Sequence, residues 1–150
     1  VLRRQLALAE KLNLPVYLHE RDAFEPHIAL LKRYLPDIPS AIVHCFTGTR
    51  AQLDAYLDLG CYIGITGWVC DDKRGADLQD AVKAIPLQRL LLETDAPYLF
   101  PKNVRPRMKN NEPCCLPHVG KKVAELTQQE LETIARQSYQ NALSAFRIKS

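Results

Sequence analysis

The sequence predicts an α/β fold in which short parallel strands alternate with helices. Three observations carry this. Four apolar segments of strand length, 16–19, 41–44, 61–65 and 90–93, are separated by stretches long enough for a helical crossover. Leu90-Leu91-Leu92 is apolar without alternation, the pattern of a strand buried on both faces. Three of the four segments end on chemistry: His19, His44 and Glu93-Thr94-Asp95 stand where their strands run out. Barrel and open α/β enzymes place catalytic groups at such C-terminal strand ends.

The elements follow in order. An opening helix carries Leu2, Leu6, Ala9 and Leu12 on one face, closes near Asn13 and turns through Pro15 into strand 16–19. Asp22 is placed to cap a second helix with Phe24, Ile28, Leu31 and Leu35 at helical spacing. Pro36 and Pro39 bracket the turn into strand 41–44. Thr49 with Gln52 reads as a capping box for a helix that turns Leu53, Tyr56 and Leu57 inward, and Gly60 follows its end. Strand 61–65 contains Gly64, where backbone can approach closely. A helix over 75–84 precedes Pro86 and strand 90–93, which Pro97 keeps from continuing. Residues 97–115 form a long loop with four prolines and the cations Lys102, Arg105, Arg107 and Lys109. Two helices finish the chain. One carries Leu116, Val119, Val123 and Leu126; the other starts at a capping box Thr127…Glu130 and buries Leu131, Ile134, Ala142 and Phe146.

Length, 150 residues, suits one domain with a real core, and no linker or low-complexity segment divides residues 1–150. Composition is that of a soluble globular protein, 47% hydrophobic and 25% charged, with no run of membrane-spanning length and no signal-peptide layout. Five cysteines without CxxC spacing suit a reduced, cytoplasmic protein rather than a disulfide scaffold. A net charge of +3 neither requires nor opposes a nucleic-acid partner. The chain opens in mid-helix on Val1 with no cap before it, which reads as a fragment.

His19 and His44 lie one β/α unit apart, and Asp95 lies two units beyond, so parallel pairing opens all three on one rim. A single histidine at a strand end is ordinarily a hydrogen-bonded structural residue. Two in successive strands with an acid in register favour a divalent metal instead. Imidazoles with a carboxylate suit zinc, manganese or iron, and an oxygen-richer set takes magnesium. His27 reads as a surface helix residue and His118 as a first-turn helix residue.

The residues around these positions carry a resemblance. Leu-His-Glu-Arg-Asp-Ala (18–23), His-Cys-Phe-Thr-Gly (44–48), Tyr-Ile-Gly-Ile-Thr-Gly-Trp (62–68), Glu-Thr-Asp-Ala-Pro-Tyr-Leu (93–99) and Asn-Glu-Pro with Leu-Pro-His (111–118) resemble, in order, the TatD family of metal-dependent deoxyribonucleases. The resemblance implies a (β/α)₈ TIM barrel of which these are the last four units. It implies 3′–5′ exonuclease action on single-stranded DNA and RNA, a role in DNA repair, and a divalent ion, usually magnesium. His19 and His44 are then ligands of one metal, and Asp95 is a ligand or the general base. The family's HxH motif and bridging glutamate are absent here, which puts the other half of the site in about a hundred further residues. A half-barrel alone leaves two sheet edges uncovered.

Other residues have competing accounts. Arg21 can grip a phosphate bidentately or pair with Asp22 or Glu25. Lys102, Arg105, Arg107 and Lys109 can follow a nucleic-acid backbone or be simply solvated. Trp68 and Tyr98 can stack on bases or pack. Glu93 points into the barrel below the metal, and Glu112 orders the loop. Against the nuclease stand two readings: a hydrolase of small amides or esters, and an inactive fragment that pairs with another chain or its own copy. The complete nuclease is expected to be a monomer.

Overall fold

The computed structural model describes residues 1–149. Four parallel strands form one sheet in sequence order: β1 (Val16–His19), β2 (Ala41–His44), β3 (Tyr62–Ile65) and β4 (Leu90–Leu92). Helices α1 (Leu2–Leu12), α2 (Phe24–Tyr34), α3 (Arg50–Asp58) and α4 (Ala76–Val82) come before and between the strands; α5 (Leu116–Thr127) and α6 (Leu131–Ala145) follow them. β1 and β4 each pair on one side only. Among the described residues no helix is long and apolar enough to cross a membrane, and all five cysteines are free.

The pleat sorts side chains to two faces. Leu18, Ala41, Val43, Ile63, Ile65 and Leu90 join the main core, where Leu6, Leu31, Leu53, Leu78, Val123 and Ile134 meet them from the helices. Ile42 and Leu91 face the other way and pack with Tyr62 against Ala142 and Ala145 of α6. β4 is therefore buried on both faces, as three consecutive leucines predict. Asn141 fixes α6 to its entry, donating Nδ2 to Leu87 O at 2.7 Å and Leu90 O at 2.8 Å. Such pairing lets an amide be buried without leaving a donor unmet.

The Thr49–Gln52 capping box is present. Gly60 follows that helix at φ +76°, a left-handed position that suits glycine. Several expectations are corrected. Asp22 does not cap α2: it sits at φ 54°, the helix begins at Phe24, and Glu20 Oε1 accepts the Ala23 amide at 2.6 Å instead. No Thr127–Glu130 capping box forms, because α5 runs through Thr127. The Thr127 hydroxyl donates back to Val123 O, and Gln128 closes that helix at φ 55°. Phe146 is exposed rather than buried. Strands and helices are also a residue or two shorter than read: Cys61 and Glu93 lie just outside β3 and β4, and α4 covers 76–82.

His27 overturns its surface reading. It is 5% exposed, and its Nδ1 pairs with the Tyr56 hydroxyl at 2.9 Å. Its Nε2 is buried without a partner. Helical position alone could not reveal this, because α3 brings Tyr56 over it.

Candidate metal-binding and catalytic rim

β1 and β2 pair in a register that sets His19 beside His44 at their carboxyl ends, and the two rings lie 6.0 Å apart, centroid to centroid. Side chains two apart on a strand share a face, so Tyr17 stands directly below His19. From β3, Gly64 leaves a gap that β4's extension fills: a Cβ there would collide with the Glu93 carboxyl group. The glycine makes room for a side chain rather than for close backbone approach.

Glu93 is the hub. Its Oε1 accepts the Tyr17 hydroxyl at 2.6 Å; its Oε2 lies 3.0 Å from His44 Nδ1 and accepts the Cys45 amide at 2.9 Å. Tyr17 Oη is also 2.8 Å from His44 Nδ1. An ionised carboxylate only accepts, and the single phenol proton goes to Glu93. Nδ1 of His44 must therefore be the donor, and in the neutral ring the lone pair falls on Nε2. Burial, then the hydrogen bond and charge of Glu93, push the Tyr17 pKa upward and keep its proton in place.

His44 Nε2 faces Asp95 Oδ1 at 3.3 Å. Asp95 sits at φ 58° and Cys45 at φ 48°, left-handed conformations that non-glycine residues adopt at some cost. Both turn the chain sharply as it leaves a strand. The Cys45 thiol lies 3.4 Å from Thr66 Oγ1, and burial raises its pKa, so it is a poor thiolate.

The donors have the right chemistry for a divalent ion, with His44 Nε2 and Asp95 Oδ1 converging and His19 beside them. Their number falls short: among the described residues no group of three or more His, Cys, Asp or Glu side chains forms a coordination cage.

The loop after β4 is tied down at both ends. Asn111 is buried and donates Nδ2 to Thr94 O at 2.7 Å and Tyr98 O at 2.8 Å. This amide orders the loop, the task expected of Glu112, which is exposed and whose carboxyl, among the described residues, accepts only the Cys114 thiol at 3.7 Å. Asp71, 2% exposed, lies in the segment after β3 and holds Lys102 Nζ at 2.6 Å and Arg74 Nε at 2.9 Å. The Lys102 hydrogen bond, with help from Arg74, keeps its carboxyl well below the usual range despite burial. At Gly67 any side chain would strike Leu99 O, which locks the same two segments together.

The proposed substrate residues separate. Trp68, Tyr98 and Arg107 line one cavity with Lys109. Arg105 is turned onto its own loop, Nη1 donating to Lys102 O at 2.7 Å and Val104 O at 2.8 Å. Arg21 stands in solvent at the β1 end, its Nε 3.9 Å from Asp22. Tyr17 and Asp71 escaped the sequence reading, and Asn111 entered it only as part of the Asn-Glu-Pro motif, with no role given. Of the first two, Tyr17 carried a signal, its parity with His19.

The chain is similar to known proteins in sequence and in fold. Residues 1–147 match the family described as TatD related DNase. A relative from Pantoea ananatis, named 3′-5′ ssDNA/RNA exonuclease TatD, is 53% identical over 144 residues, 95% of this chain and 55% of the relative. One of the same name from Erwinia billingiae is 53% identical over 146 residues, 96% of this chain and 56% of the relative. A solved TatD homolog from Escherichia coli K12 superposes with a TM-score of 0.83 at 30% identity, over 97% of this chain and 54% of that structure. A TatD family hydrolase from Entamoeba histolytica shares the fold, with a TM-score of 0.81 at 24% identity over 96% and 55% of the two chains. This chain spans about half the length of the curated relatives it matches. Its four β/α units are correspondingly half of an eight-unit barrel.

Proposed function

From the chain's membership of the TatD related DNase family, we propose that it supplies the carboxyl-terminal part of a metal-dependent 3′–5′ exonuclease acting on single-stranded DNA and RNA. The observation that carries this is His44, held by Glu93 at Nδ1 and facing Asp95 with Nε2. Metal-binding histidines characteristically donate their other ring nitrogen to a carboxylate, which orients the ring and raises its basicity. His44 and Asp95, with His19 beside them, would hold the ion, the remaining ligands coming from outside these residues. When bound, such an ion supplies Lewis acidity toward a phosphoryl oxygen.

The chain's own residues do the rest. Glu93 fixes the tautomer and aim of His44, and Tyr17 holds Glu93. Asp95, part-exposed at the rim, is placed to accept a proton from the attacking water. The reading takes magnesium as the usual ion, with zinc or manganese as substitutes. It takes the complete protein to be a cytoplasmic monomer working in DNA repair.

The test joins this chain to the remaining portion of the Pantoea ananatis relative and assays 3′-labelled single-stranded DNA with magnesium. Stepwise shortening from the labelled end, lost in His44→Ala, is the expected result. A joined protein that folds and binds manganese yet leaves the strand intact would remove the nuclease reading.

A further inference from the structure

The segments after β3 and β4 enclose a cavity of about 440 Å³, within the ~300–1,000 Å³ of small-ligand sites. We infer that this cavity is a nucleotide subsite: Tyr98, with Phe100 and Met108, takes a base of the strand, while Arg107 and Lys109 take the adjoining phosphate. The inference rests on the nucleic-acid reading above and deepens it.

Position comes first. The Tyr98 amide donates to Asp95 O at 2.8 Å, so the cavity wall begins one tight turn from the candidate catalytic carboxylate. A base seated there belongs to a nucleotide close to the bond being cut. Tyr98 is 70% exposed, unusual for a large ring on a well-anchored loop. An aromatic face left open at a nucleic-acid site is a stacking platform that accepts any base. Trp68 does not compete for that role, because the Arg74 guanidinium lies 4.8 Å over its ring.

Charge comes second. Asp71 pairs Lys102 and Arg74, all three lining the cavity, and so spends two of its cations. Arg107 and Lys109 make no ion pair among the described residues. A basic run in a loop is ordinarily just a solvated surface. This loop differs in being locked by Asn111, by the Asp71–Lys102 pair and by the Gly67–Leu99 contact. Its cations and ring are therefore presented by a preformed wall, and binding spends little on ordering them.

Trp68, the only tryptophan, lines the cavity and reports its occupancy by fluorescence. The 150-residue chain is titrated with a short oligothymidylate and with an abasic strand of equal length, reading Trp68 emission and the anisotropy of a labelled strand. The expected result is tighter binding of the oligothymidylate than of the abasic strand. Tyr98→Ala should weaken it about fivefold or more and erase the difference, while Tyr98→Phe keeps both. Arg107→Ala with Lys109→Ala should lower the slope of log affinity against log salt by about 0.7, the share of one phosphate on a single strand. Circular dichroism establishes that each variant is folded. Equal binding of the two strands, unchanged binding in folded Tyr98→Ala, or no binding by the parent chain overturns the subsite. Cleavage is read separately in the joined protein described above. Pocket-dependent binding without cleavage supports the subsite and removes the nuclease reading. Cleavage with Tyr98-independent binding does the reverse.

Discussion

Glu93 Oε2 lies 3.0 Å from His44 Nδ1, and this contact decides which nitrogen of His44 is free. With Nδ1 committed as donor, Nε2 turns to Asp95 and no other tautomer satisfies Glu93. Partners of this kind tune a metal site by tenfold to a hundredfold in affinity. Glu93→Gln should therefore weaken manganese binding by about 10–100-fold, while Tyr17→Phe, which removes only the donor to Glu93, should cost less. Isothermal titration of the joined protein and its variants with manganese checks the order. Equal affinity in Glu93→Gln and the parent would mean that Glu93 only packs.

Gly64→Ala places a methyl group where the Glu93 carboxyl lies. Overpacking of this kind costs about 1–3 kcal/mol, and Glu93 must also leave His44. Urea denaturation should show the midpoint falling, and the manganese affinity of the joined protein should fall with it. A destabilised variant that keeps full manganese affinity would show that Glu93 can move without consequence.

Asp71 links two loops through a carboxyl held low by Lys102 and Arg74. A carboxyl with a depressed folded value stabilises above its unfolded pKa, and loses that contribution as pH falls. Trp68 emission should thus stay constant from neutral pH down through the ordinary carboxylate range at about pH 4, and shift only at pH values well below it. In Asp71→Asn the loop should be cut by trypsin faster at pH 7.5 than in the parent. Matching digestion rates would show that Asn111 holds the loop unaided.

His27 adds the opposite vulnerability. Burial lowers its pKa, with Glu20 opposing weakly, so the folded chain prefers the neutral ring. The unfolded chain takes up the proton first as pH drops, and stability declines below about pH 6.5. Urea midpoints at pH 7.5 and 5.5 should differ in the parent and converge in His27→Leu. An unchanged difference would assign the acid sensitivity to another group.

How much of this could be read from residues alone depended on range. The strands and the rim were legible because apolar runs end abruptly at His19, His44 and Glu93, and parallel pairing does the rest. The Thr49 cap was legible because both partners lie within one turn. Thr127 and Glu130 show the same spacing, yet the packed face of α5 carries the helix through Thr127 and the cap never forms. Asp71 and Lys102 are separated by a helix and a strand, and their pairing depends on where two loops meet. His27 likewise needed Tyr56 from the next helix. What was missed is tertiary in every case, apart from Asp22, whose left-handed backbone removes it from its capping position.

The half-paired strands β1 and β4 have a consequence outside catalysis. Each has one side without a strand neighbour, with exposed Leu8, Leu12 and Leu14 near the first and Tyr139 near the second. On β4, among the described residues, only Leu90 O is taken by a side chain, that of Asn141. Such borders template strand addition by whatever chain arrives first. Yield will then depend on a kinetic contest between rightful covering residues and stray copies. Dilution should favour recoverable material, and concentration should favour precipitate.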